Sequence, residues 1–502
     1  MTSNPLLAIL SGLLLVLAFP RFDIEWLAAV ALAPLLVAAG REPNPWRRML
    51  LGEIAGLVYW AGACHWIQFV LEYHGRMGLV GSWGAFALFC LIKSLHLAAF
   101  TWLAGYLTKT PYAIVAVAAL WVGIERTHGP LGFAWLALGN AGINMGLPMR
   151  LAPLVGVYGL SFVLAMLNAA MASVLLRRPR WHLGWLGLLL LIPLLPALPE
   201  PGSGSEHAVV VQPNVPMEEV FTTASVAELR EELGRLSLQA ALVPDEPPAR
   251  LIIWPEVPLP LYYEQDAEFR RQANLLARIA EAWFLFGTVA FTAEGAPLNS
   301  AQLVSPEGEP VSRYDKIYLV PFGEFVPPYF GWVNRITREA GDFAPGREIV
   351  ISPIGTNRLG AFICYEAVFP HLVRRFAASG AEVLVNLSND GYFGDTAARE
   401  QHLLIARMRA AENRRWLLRA TNNGITCSID PSGRIRRQFD PFERLAGRLY
   451  FDYETALTPY TRYGDWFAWL CLASSLGAVV SAQRPRYRAE GRTGAPGGST
   501  VA

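Results

Sequence analysis

The sequence is poor in charge and in cysteine. Charged residues make up 17% of the 502 residues and hydrophobic residues 53%, a balance that excludes a disordered chain and a coiled coil. The formal net charge of +1 provides no field that would favour nucleic acid as a partner. The five cysteines are scattered and form no CxxC pair, which argues against a disulfide framework and against a structural zinc site.

The few charges are unevenly distributed along the chain. Only 19 of the 83 charged residues lie in residues 1–200. We therefore predict a membrane domain in residues 1–200, a largely water-soluble domain in residues 201–460, and a last transmembrane helix with a cytoplasmic tail in residues 461–502. A stretch rich in proline, glycine and serine at residues 193–205 reads as the linker between the first two parts.

Apolar runs of suitable length predict about eight transmembrane helices, seven before the soluble domain and one after it. A helix needs about 20 apolar residues to cross the hydrocarbon core of a bilayer. The first run lacks a small-residue cleavage site, so we interpret it as a retained helix and not as a signal peptide. The predicted spans are residues 5–19, 24–39, 50–70, 79–107, 111–124, 151–176, 181–198 and 466–483.

The basic residues of the short loops predict the orientation. Loops after the second, fourth and sixth spans, and the tail after the eighth, carry more arginine and lysine than the loops on the other side. Such an excess marks the cytoplasmic side. We predict that both termini are cytoplasmic and that residues 201–460 face the periplasm. The residues that carry this prediction are Arg41, Arg47, Arg48, Lys109, Arg177, Arg178, Arg180, Arg484, Arg486, Arg488 and Arg492.

Five polar residues interrupt the apolar runs. Ionisable groups inside a membrane are functional candidates, for instance in a transporter. The plainer interpretation is that they pair between helices or lie near helix ends, and the chain shows no inverted repeat that would support a transporter. Their roles stay open at this point. The residues are Glu53, His65, Lys93, His96 and Asn168.

The soluble part alternates short β-branched runs with amphipathic stretches, which predicts an α/β domain with a layered, mixed sheet. Two further segments predict hairpins, one turning at residues 306–308 and one at residues 430–433. Predicted strands cover residues 208–212, 251–254, 283–290, 359–364 and 381–387, and predicted helices cover residues 264–283 and 399–416.

Polar residues cluster just after the predicted strands, where open α/β sheets place their sites. Glu256, Lys316 with Glu324, and Cys364 are the candidates. Each has a structural alternative: Cys364 as a small core residue, Glu256 as a helix N-cap, and Lys316 as a surface cation. Lysine occurs only three times among 42 basic residues, so a lysine kept at Lys316 suggests a compact ammonium that arginine cannot replace.

These residue types form one chemical unit. A cysteine is a nucleophile as thiolate, and a carboxylate such as Glu256 can remove its proton. A lysine ammonium can stabilise the oxyanion that forms when the thiolate attacks a carbonyl group. A Cys–His pair of Cys364 with His371 is an alternative, but His371 lies in a segment that reads as a helix leading away from the strand end.

The motifs around these residues carry a family resemblance. Glu256 in WPE, Lys316 in YDKIYLVPFGE and Cys364 in CYE resemble the Glu-Lys-Cys triad of the nitrilase superfamily. Together with PFGEFVP, SNDGYFGD and RMRAAENRRWLLRATNNG, and with the flanking apolar runs, the chain resembles the bacterial apolipoprotein N-acyltransferase family over nearly all of residues 5–483. One departure is Phe221, in a region where the family often has tryptophan.

The resemblance implies a fold and an activity. It implies eight transmembrane helices and an αββα nitrilase-like sandwich that faces the periplasm from the inner membrane. It implies transfer of a fatty acyl chain from a phospholipid, typically phosphatidylethanolamine, to the α-amine of an S-diacylglyceryl-cysteine at an apolipoprotein N-terminus through a thioester on Cys364. Glu324, Tyr365 and Glu366 would support the triad. No metal or organic cofactor is implied, and we expect a monomer.

Aromatic segments suit a lipid substrate. The segment after Glu324 predicts a lid at the membrane surface, because tryptophan and tyrosine favour that interface. A glycine-rich loop at residues 127–149, with Trp135, is a candidate for the path of the acyl chain. Two rival interpretations are a membrane-tethered amidase or nitrilase that hydrolyses a small amide, and a transporter or scaffold whose outer domain only binds. The substrate-contact and lid candidates are Phe221, Trp135, Phe325, Tyr329, Phe330 and Trp332.

Overall fold

The computed structural model has an α-helical part, formed by the first 200 residues and the last described helix, and a part built on two β-sheets. The apolar helices lie in the first part and both sheets lie in the second. The structure describes residues 3–129, 133–200, 202–216, 221–257, 259–321, 323–325 and 343–483.

Apolar helical segments occupy the positions of all eight predicted spans, but their lengths differ. By length and composition, three helices of the described chain can cross a membrane, namely α5, α8 and α14, and a fourth crossing results if α3 and α4, bent by 59°, form one span. The number eight therefore stays a prediction. The helices are α1 Ser3–Leu17, α2 Ala33–Arg41, α3 Pro45–Ala63, α4 Trp66–Tyr73, α5 Gly78–Leu107, α6 Ala113–Arg126, α7 Ala152–Val155, α8 Val157–Leu175 and α14 Trp466–Gln483.

Several predicted spans are broken where the sequence showed one apolar run. The span at residues 24–39 consists of a 3₁₀ turn, Glu25–Ala29, followed by α2. Asn168 of α8 bridges this break: its side-chain oxygen accepts hydrogen bonds from the backbone N–H groups of Leu32 (2.7 Å) and Ala33 (3.0 Å), and its amide donates to the carbonyl oxygen of Ala28 (2.8 Å). A buried backbone needs such partners, so Asn168 has a structural role.

Two other intramembrane polar residues also pair between segments. The hydroxyl group of Ser94 on α5 donates a hydrogen bond to Glu53 on α3. The ammonium group of Lys93 donates to the backbone oxygen of Phe133 (3.0 Å) and lies over the ring of Trp60. The interpretation that Glu53 and Lys93 pair between helices is confirmed for these contacts.

The predicted span at residues 181–198 is also irregular. It is a 3₁₀ helix, Arg180–Leu194, with Pro193 inside it.

Two six-stranded sheets form the other part, in the orders β12-β1-β2-β3-β4-β5 and β11-β10-β9-β8-β7-β6. The central pairs β1/β2, β2/β3, β7/β8 and β8/β9 are parallel, and the outer pairs are antiparallel. The strands are β1 Glu206–Gln212, β2 Leu251–Ile253, β3 Trp283–Phe291, β4 Pro297–Val304, β5 Pro310–Asp315, β6 Ile351–Ile354, β7 Asn357–Ile363, β8 Val383–Ser388, β9 Leu417–Thr421, β10 Cys427–Ile429, β11 Ile435–Gln438 and β12 Leu445–Phe451.

The central strands are continuous apolar runs because both of their faces are buried. In the first sheet Val210 and Ile253 belong to the core that is shared with the second sheet, whereas their neighbours Val209 and Ile252 pack in a core with the outer helices. Helices thus cover the outer faces of two apposed sheets, and the predicted αββα layering is confirmed. These helices are α9 Thr223–Ala241, α10 Ala267–Ala280, α11 Pro370–Ala378 and α12 Ala398–Asn413, followed by the short α13 Pro459–Tyr463.

The two longer predicted helices were extended too far at their C-terminal ends. Helix α10 ends at Ala280 because Glu281 adopts a left-handed conformation (φ 48°), and Trp283 then begins β3. Helix α12 ends at Asn413 for the same reason, because the next residue, Arg414, is left-handed (φ 48°). Both predicted hairpins are present, between β4 and β5 and between β10 and β11.

One buried side chain of α12 joins the two parts of the molecule. The side-chain oxygen of Gln401 accepts hydrogen bonds from the indole N–H groups of Trp66 (3.2 Å) and Trp135 (2.8 Å). Its amide group donates to the backbone oxygens of Pro20 (3.0 Å) and Ala63 (2.8 Å). Gln401 is fully buried, so every polar group of this side chain is satisfied by residues of the helical part.

Candidate active site

A buried lysine lies between two carboxylates at one end of the first sheet. The ammonium group of Lys316 is 3.1 Å from Oε1 of Glu256 and 2.8 Å from Oε1 of Glu324, and it is 1% exposed. The amide group of Asn299 donates hydrogen bonds to the same two oxygens, at 2.8 and 2.7 Å. Burial by itself lowers the pKa of Lys316, but the two carboxylates outweigh this effect and hold the pKa well above its ordinary value.

Strand ends bring this cluster together. Glu256 follows β2, Lys316 follows β5, and Asn299 lies on β4 between them in the fold. The backbone N–H of Lys316 donates to the carbonyl oxygen of Asn299 (2.8 Å), and the backbone N–H of Val320 donates to Oε2 of Glu324 (2.8 Å). Backbone pairing therefore fixes where the lysine emerges from the sheet.

Cys364 follows β7 of the second sheet directly. Its backbone has a positive φ of 48°, a left-handed conformation that non-glycine residues adopt rarely. Its side chain is buried and interacts electrostatically with Glu256 and Lys316. Burial, reinforced by the charge of Glu256, raises the pKa of the thiol far above its ordinary value, whereas Lys316 and a hydrogen bond with Ser388 oppose that rise.

Hydrogen bonds in both directions connect the two sheets at this site. The backbone N–H of Asn389, after β8, donates to Oε2 of Glu256 (2.8 Å). In the opposite direction Glu366 accepts hydrogen bonds from the hydroxyl group of Tyr314 (2.7 Å) and the backbone N–H of Ile317 (2.7 Å). Burial raises the pKa of Glu366 to about 7. The predicted residues Glu256, Lys316, Glu324, Cys364 and Glu366 are therefore brought together.

The remaining predicted residues lie in different surroundings. Tyr365 is buried beside Cys364, and its ring contacts Phe369 edge-on. Trp135 is 1% exposed and lines a cavity between the helical part and helices α11 and α12. Phe221 is half-buried and packs against the core under α9, and Phe325 is half-buried just after Glu324. Tyr329, Phe330 and Trp332 lie outside the described residues.

The predicted rival pair of Cys364 with His371 is not what the structure shows. His371 lies on α11, where its Nε2 is 3.0 Å from the hydroxyl group of Tyr318, and burial lowers its pKa to about 4. The histidine that does contact Cys364 is His402 of α12, whose Nε2 is 3.1 Å from the backbone oxygen of Cys364.

Sequence reasoning missed Asn299, Asp390, His402 and Arg419. Asp390 stood in a quoted motif directly after β8, and the run of polar residues at that strand end was a usable signal. Arg419 stood in another motif, in the middle of an apolar strand, where a charged residue that is fully buried needs a partner. Asn299 and His402 carried no comparable signal, because their contacts arise between segments that are distant in sequence.

Two family models match the chain: "Apolipoprotein N-acyltransferase N-terminal domain" over residues 11–170 and "Carbon-nitrogen hydrolase" over residues 208–446. The apolipoprotein N-acyltransferase of Geobacter metallireducens is 34% identical over 95% of this chain and 94% of its own length. This chain belongs to the apolipoprotein N-acyltransferase family. The apolipoprotein N-acyltransferase of Azotobacter vinelandii is also 34% identical, over 92% of each chain.

The part built on two sheets is a nitrilase-like α/β domain, as the carbon–nitrogen hydrolase match and the paired sheets show. Among solved structures, an amidase from Nesterenkonia sp. is similar, with 18% identity, a TM-score of 0.38, and coverage of 52% of this chain and 94% of that chain. In this chain the hydrolase-type domain is combined with an N-terminal domain of apolar helices, and the chain is a membrane protein.

Proposed function

We propose that this chain transfers a fatty acyl chain from a membrane phospholipid, typically phosphatidylethanolamine, to the α-amine of the N-terminal S-diacylglyceryl-cysteine of apolipoproteins. The transfer proceeds through a thioester on Cys364. The observation that carries the proposal is the buried Glu256–Lys316–Glu324 cluster beside Cys364, in a chain similar to apolipoprotein N-acyltransferases over nearly its full length. The chain acts as a monomer and uses no metal or organic cofactor.

The first half-reaction forms the acyl-enzyme. Because the pKa of Cys364 is raised, the thiol is protonated at rest, and Glu256 accepts its proton as the sulfur attacks the ester carbonyl carbon. The S–C bond forms, and the ammonium group of Lys316 stabilises the oxyanion. When the C–O bond of the ester breaks, Glu256 returns the proton to the leaving oxygen, and a lysophospholipid departs.

The second half-reaction regenerates the enzyme. The free amine of the apolipoprotein attacks the thioester carbon, Glu256 accepts a proton from the nitrogen, and the C–S bond breaks. That proton then returns to the sulfur of Cys364. The pKa of Lys316 is held high, so its charge persists through both steps, while Glu324 and Asn299 keep its ammonium group in place.

Charge balance supports this division of roles. At rest the cluster contains one cation between two carboxylates, and it therefore has a net charge of −1. Moving a proton from Cys364 to Glu256 leaves that total unchanged, so no external ion has to enter a buried site. An isolated thiolate beside two carboxylates would add a second negative charge, which explains why proton transfer must accompany attack.

Lipid substrates require access from the membrane. We propose that Phe325 and the aromatic residues after it, Tyr329, Phe330 and Trp332, form a lid at the membrane surface, and that Trp135 lies beside the path of the acyl chain. A closed lid would shield the thioester from water and so favour transfer over hydrolysis.

The arginine distribution supports an orientation in the inner membrane with both termini in the cytoplasm and residues 201–460 in the periplasm. A reporter that is active only outside the cytoplasm should work when fused within residues 201–460 and fail when fused at Val501. Labelling of an engineered surface cysteine in the 201–460 domain by a reagent confined to the cytoplasm would contradict this topology.

Intact-mass analysis tests the activity. Purified protein in phosphatidylethanolamine nanodiscs, without acceptor, should gain the mass of one acyl chain, which hydroxylamine removes. Cys364→Ala should gain none. Addition of a diacylglyceryl-cysteinyl peptide should release the acyl chain as an N-acyl peptide. Turnover of a small soluble amide without lipid, and no acyl-enzyme, would instead support the membrane-tethered amidase.

A further inference from the structure

Beneath Cys364 lies a second polar cluster that the proposed reaction does not use. Arg419 of β9 donates from Nη2 to both oxygens of Asp390, at 2.7 and 3.0 Å, and from Nη1 to the side chain of Asn386. The ring of His402 lies between this ion pair and the nucleophile, with Nδ1 3.1 Å from Nη2 of Arg419 and Nε2 3.1 Å from the backbone oxygen of Cys364. Arg419 and His402 are fully buried, and Asp390 is 1% exposed.

The partners of the two ring nitrogens favour one arrangement of protons. The backbone oxygen of Cys364 can only accept a hydrogen bond, so Nε2 of His402 carries a proton. Nδ1 lies between a donor, Nη2 of Arg419 at 3.1 Å, and an acceptor, Oδ1 of Asp390 at 3.3 Å. Because the donor is nearer and burial opposes a charged ring, we infer a neutral imidazole with its proton on Nε2; a proton on Nδ1, shared with Asp390, is the alternative that the spectroscopic measurement below tests.

The surroundings keep His402 neutral. Burial and the charge of Arg419 lower the pKa of His402, and only Asp390 and the Cys364 carbonyl group favour the charged form. Burial by itself raises the pKa of Asp390, but the charge of Arg419 outweighs it, so Asp390 remains ionised and paired with that arginine. The other groups against the imidazole are the aromatic rings of Trp135 and Phe393.

The acceptor of this hydrogen bond is the backbone of a strained residue. A left-handed conformation at a non-glycine residue is strained and persists only where surrounding contacts hold it. The Nε2–H group of His402 binds the carbonyl oxygen of Cys364 from below, whereas Glu366 binds the N–H of Ile363 on the other side (2.7 Å). These two hydrogen bonds hold the backbone before and after the side chain of Cys364.

We propose that His402 is a positioning residue for the nucleophile. As the Nε2–H tautomer set by Arg419, it donates to the Cys364 carbonyl group and thereby aims the sulfur at the ester carbon. It exchanges no proton with substrate. The inference rests on the proposed thioester chemistry, and it predicts that the hydrogen-bond donor, and not the ring or the charge, is what acylation requires.

A pair of variants with side chains of similar size isolates the donor. In His402→Gln the amide nitrogen can replace Nε2–H, whereas His402→Met has no donor. Thioester formation by full-length protein in nanodiscs should fall about 10–100-fold in His402→Met, because displacement of the nucleophile by about 1 Å costs this much. In His402→Gln it should stay within about 5-fold of wild type, the worth of one weakened hydrogen bond.

The phospholipid concentration at half-maximal rate should not change in either variant, since His402 does not contact lipid. His207→Met, on β1 and outside the cluster, is the matched control and should acylate at the wild-type rate. Equal acylation rates in His402→Gln and His402→Met would overturn the proposal, whatever their absolute size.

A spectroscopic measurement tests the tautomer without any activity. In ¹⁵N-histidine-labelled protein, which contains 8 histidines, His402 is assigned by the signals that His402→Gln lacks. A protonated Nε2 and an unprotonated Nδ1, unchanged between about pH 6 and pH 8, are expected for the proposed tautomer. A protonated Nδ1, in the other neutral tautomer or in the charged ring, would overturn the proposal. Wild-type protein that forms no thioester would contradict the proposed function while leaving this tautomer measurable.

Discussion

The two sheets make different contributions to the site. The first sheet and the loop after it supply Glu256, Asn299, Lys316 and Glu324, a cluster in which two carboxylates face one ammonium group, so that its net charge is −1. The second supplies Cys364 and, below it, the Asp390–Arg419 pair with a neutral histidine, a cluster whose charges cancel. In the proposed mechanism the first cluster transfers protons and the second holds Cys364 in position, so substitutions in the two clusters should impair acylation in different ways.

The largest effect is expected where the two sheets meet, at the sulfur itself. Cys364→Ser keeps the size of the side chain, but a serine hydroxyl group is a far weaker nucleophile beside a carboxylate base. We expect no acyl-enzyme above background by intact mass, with normal yield and monodispersity in detergent. A stable ester adduct on the hydroxyl group of the Cys364→Ser variant, formed at an appreciable rate, would show that the thiol is dispensable.

Lys316 tests whether the first sheet provides position or only charge. Arginine keeps the charge but is longer and forked, and it does not fit between Glu256 and Glu324 as a single donor. Both Lys316→Arg and Lys316→Ala should lose about 10²–10³ in the rate of thioester formation, the usual loss for one oxyanion donor. Near-normal acylation of Lys316→Arg in the intact-mass assay would contradict the oxyanion role and show that any cation at this position is sufficient.

Glu324→Gln should have a smaller effect and move a pH dependence. The amide retains a hydrogen bond to Lys316, but a charge-assisted bond becomes a neutral one, which should slow acylation about tenfold at pH 7. Since Glu324 helps to hold the pKa of Lys316 up, its removal lowers that pKa, and the rate should decline at lower alkaline pH than in wild type. A pH–rate profile measures this; an unshifted alkaline limb would contradict the coupling.

Tyr314→Phe should have the smallest effect, and on stability more than on rate. It removes the hydrogen bond to Glu366 (2.7 Å), worth about 1 kcal/mol, while the backbone donors remain. That bond favours the ionised form of Glu366, whose pKa is about 7, so the loss of thermal stability should be larger at pH 8 than at pH 6. Melting curves at the two pH values, with Tyr450→Phe as control, provide the comparison.

Much of this site was predictable because of how parallel strands are buried. Their continuous apolar runs made β2, β7 and β8 recognisable in the sequence, and Glu256 and Cys364 stand just after such runs, at the strand ends where α/β domains place their sites. Helix ends were less predictable: a left-handed residue such as Glu281 has no strong signature. In the helical part, the break before α2 could not be foreseen, because the partner that satisfies it, Asn168, is more than 130 positions away.

Asp390 and Arg419 of the second cluster each carried a signal in the sequence, but the contacts that join this cluster were unpredictable for a related reason. Arg419 and His402 come into contact only when β9 and α12 lie side by side, and neither segment alone indicates which ring nitrogen of His402 is protonated. Asn299 likewise looks like an ordinary strand residue in the sequence. Its role depends on Glu256, after β2, and Glu324, in the loop after β5, which both accept hydrogen bonds from its amide group in the folded chain.

Gln401 has a consequence for how the protein can be handled. Its four hydrogen bonds end on residues between Pro20 and Trp135, and its neighbour in sequence holds the nucleophile. If residues 201–460 were expressed alone, the side-chain amide of Gln401 would lose its partners, and the face of α12 that packs against the helical part would be exposed. The isolated domain should therefore be poorly soluble and inactive. Catalytic activity should therefore require the helical part, and residues 201–460 should not fold as an independent soluble domain.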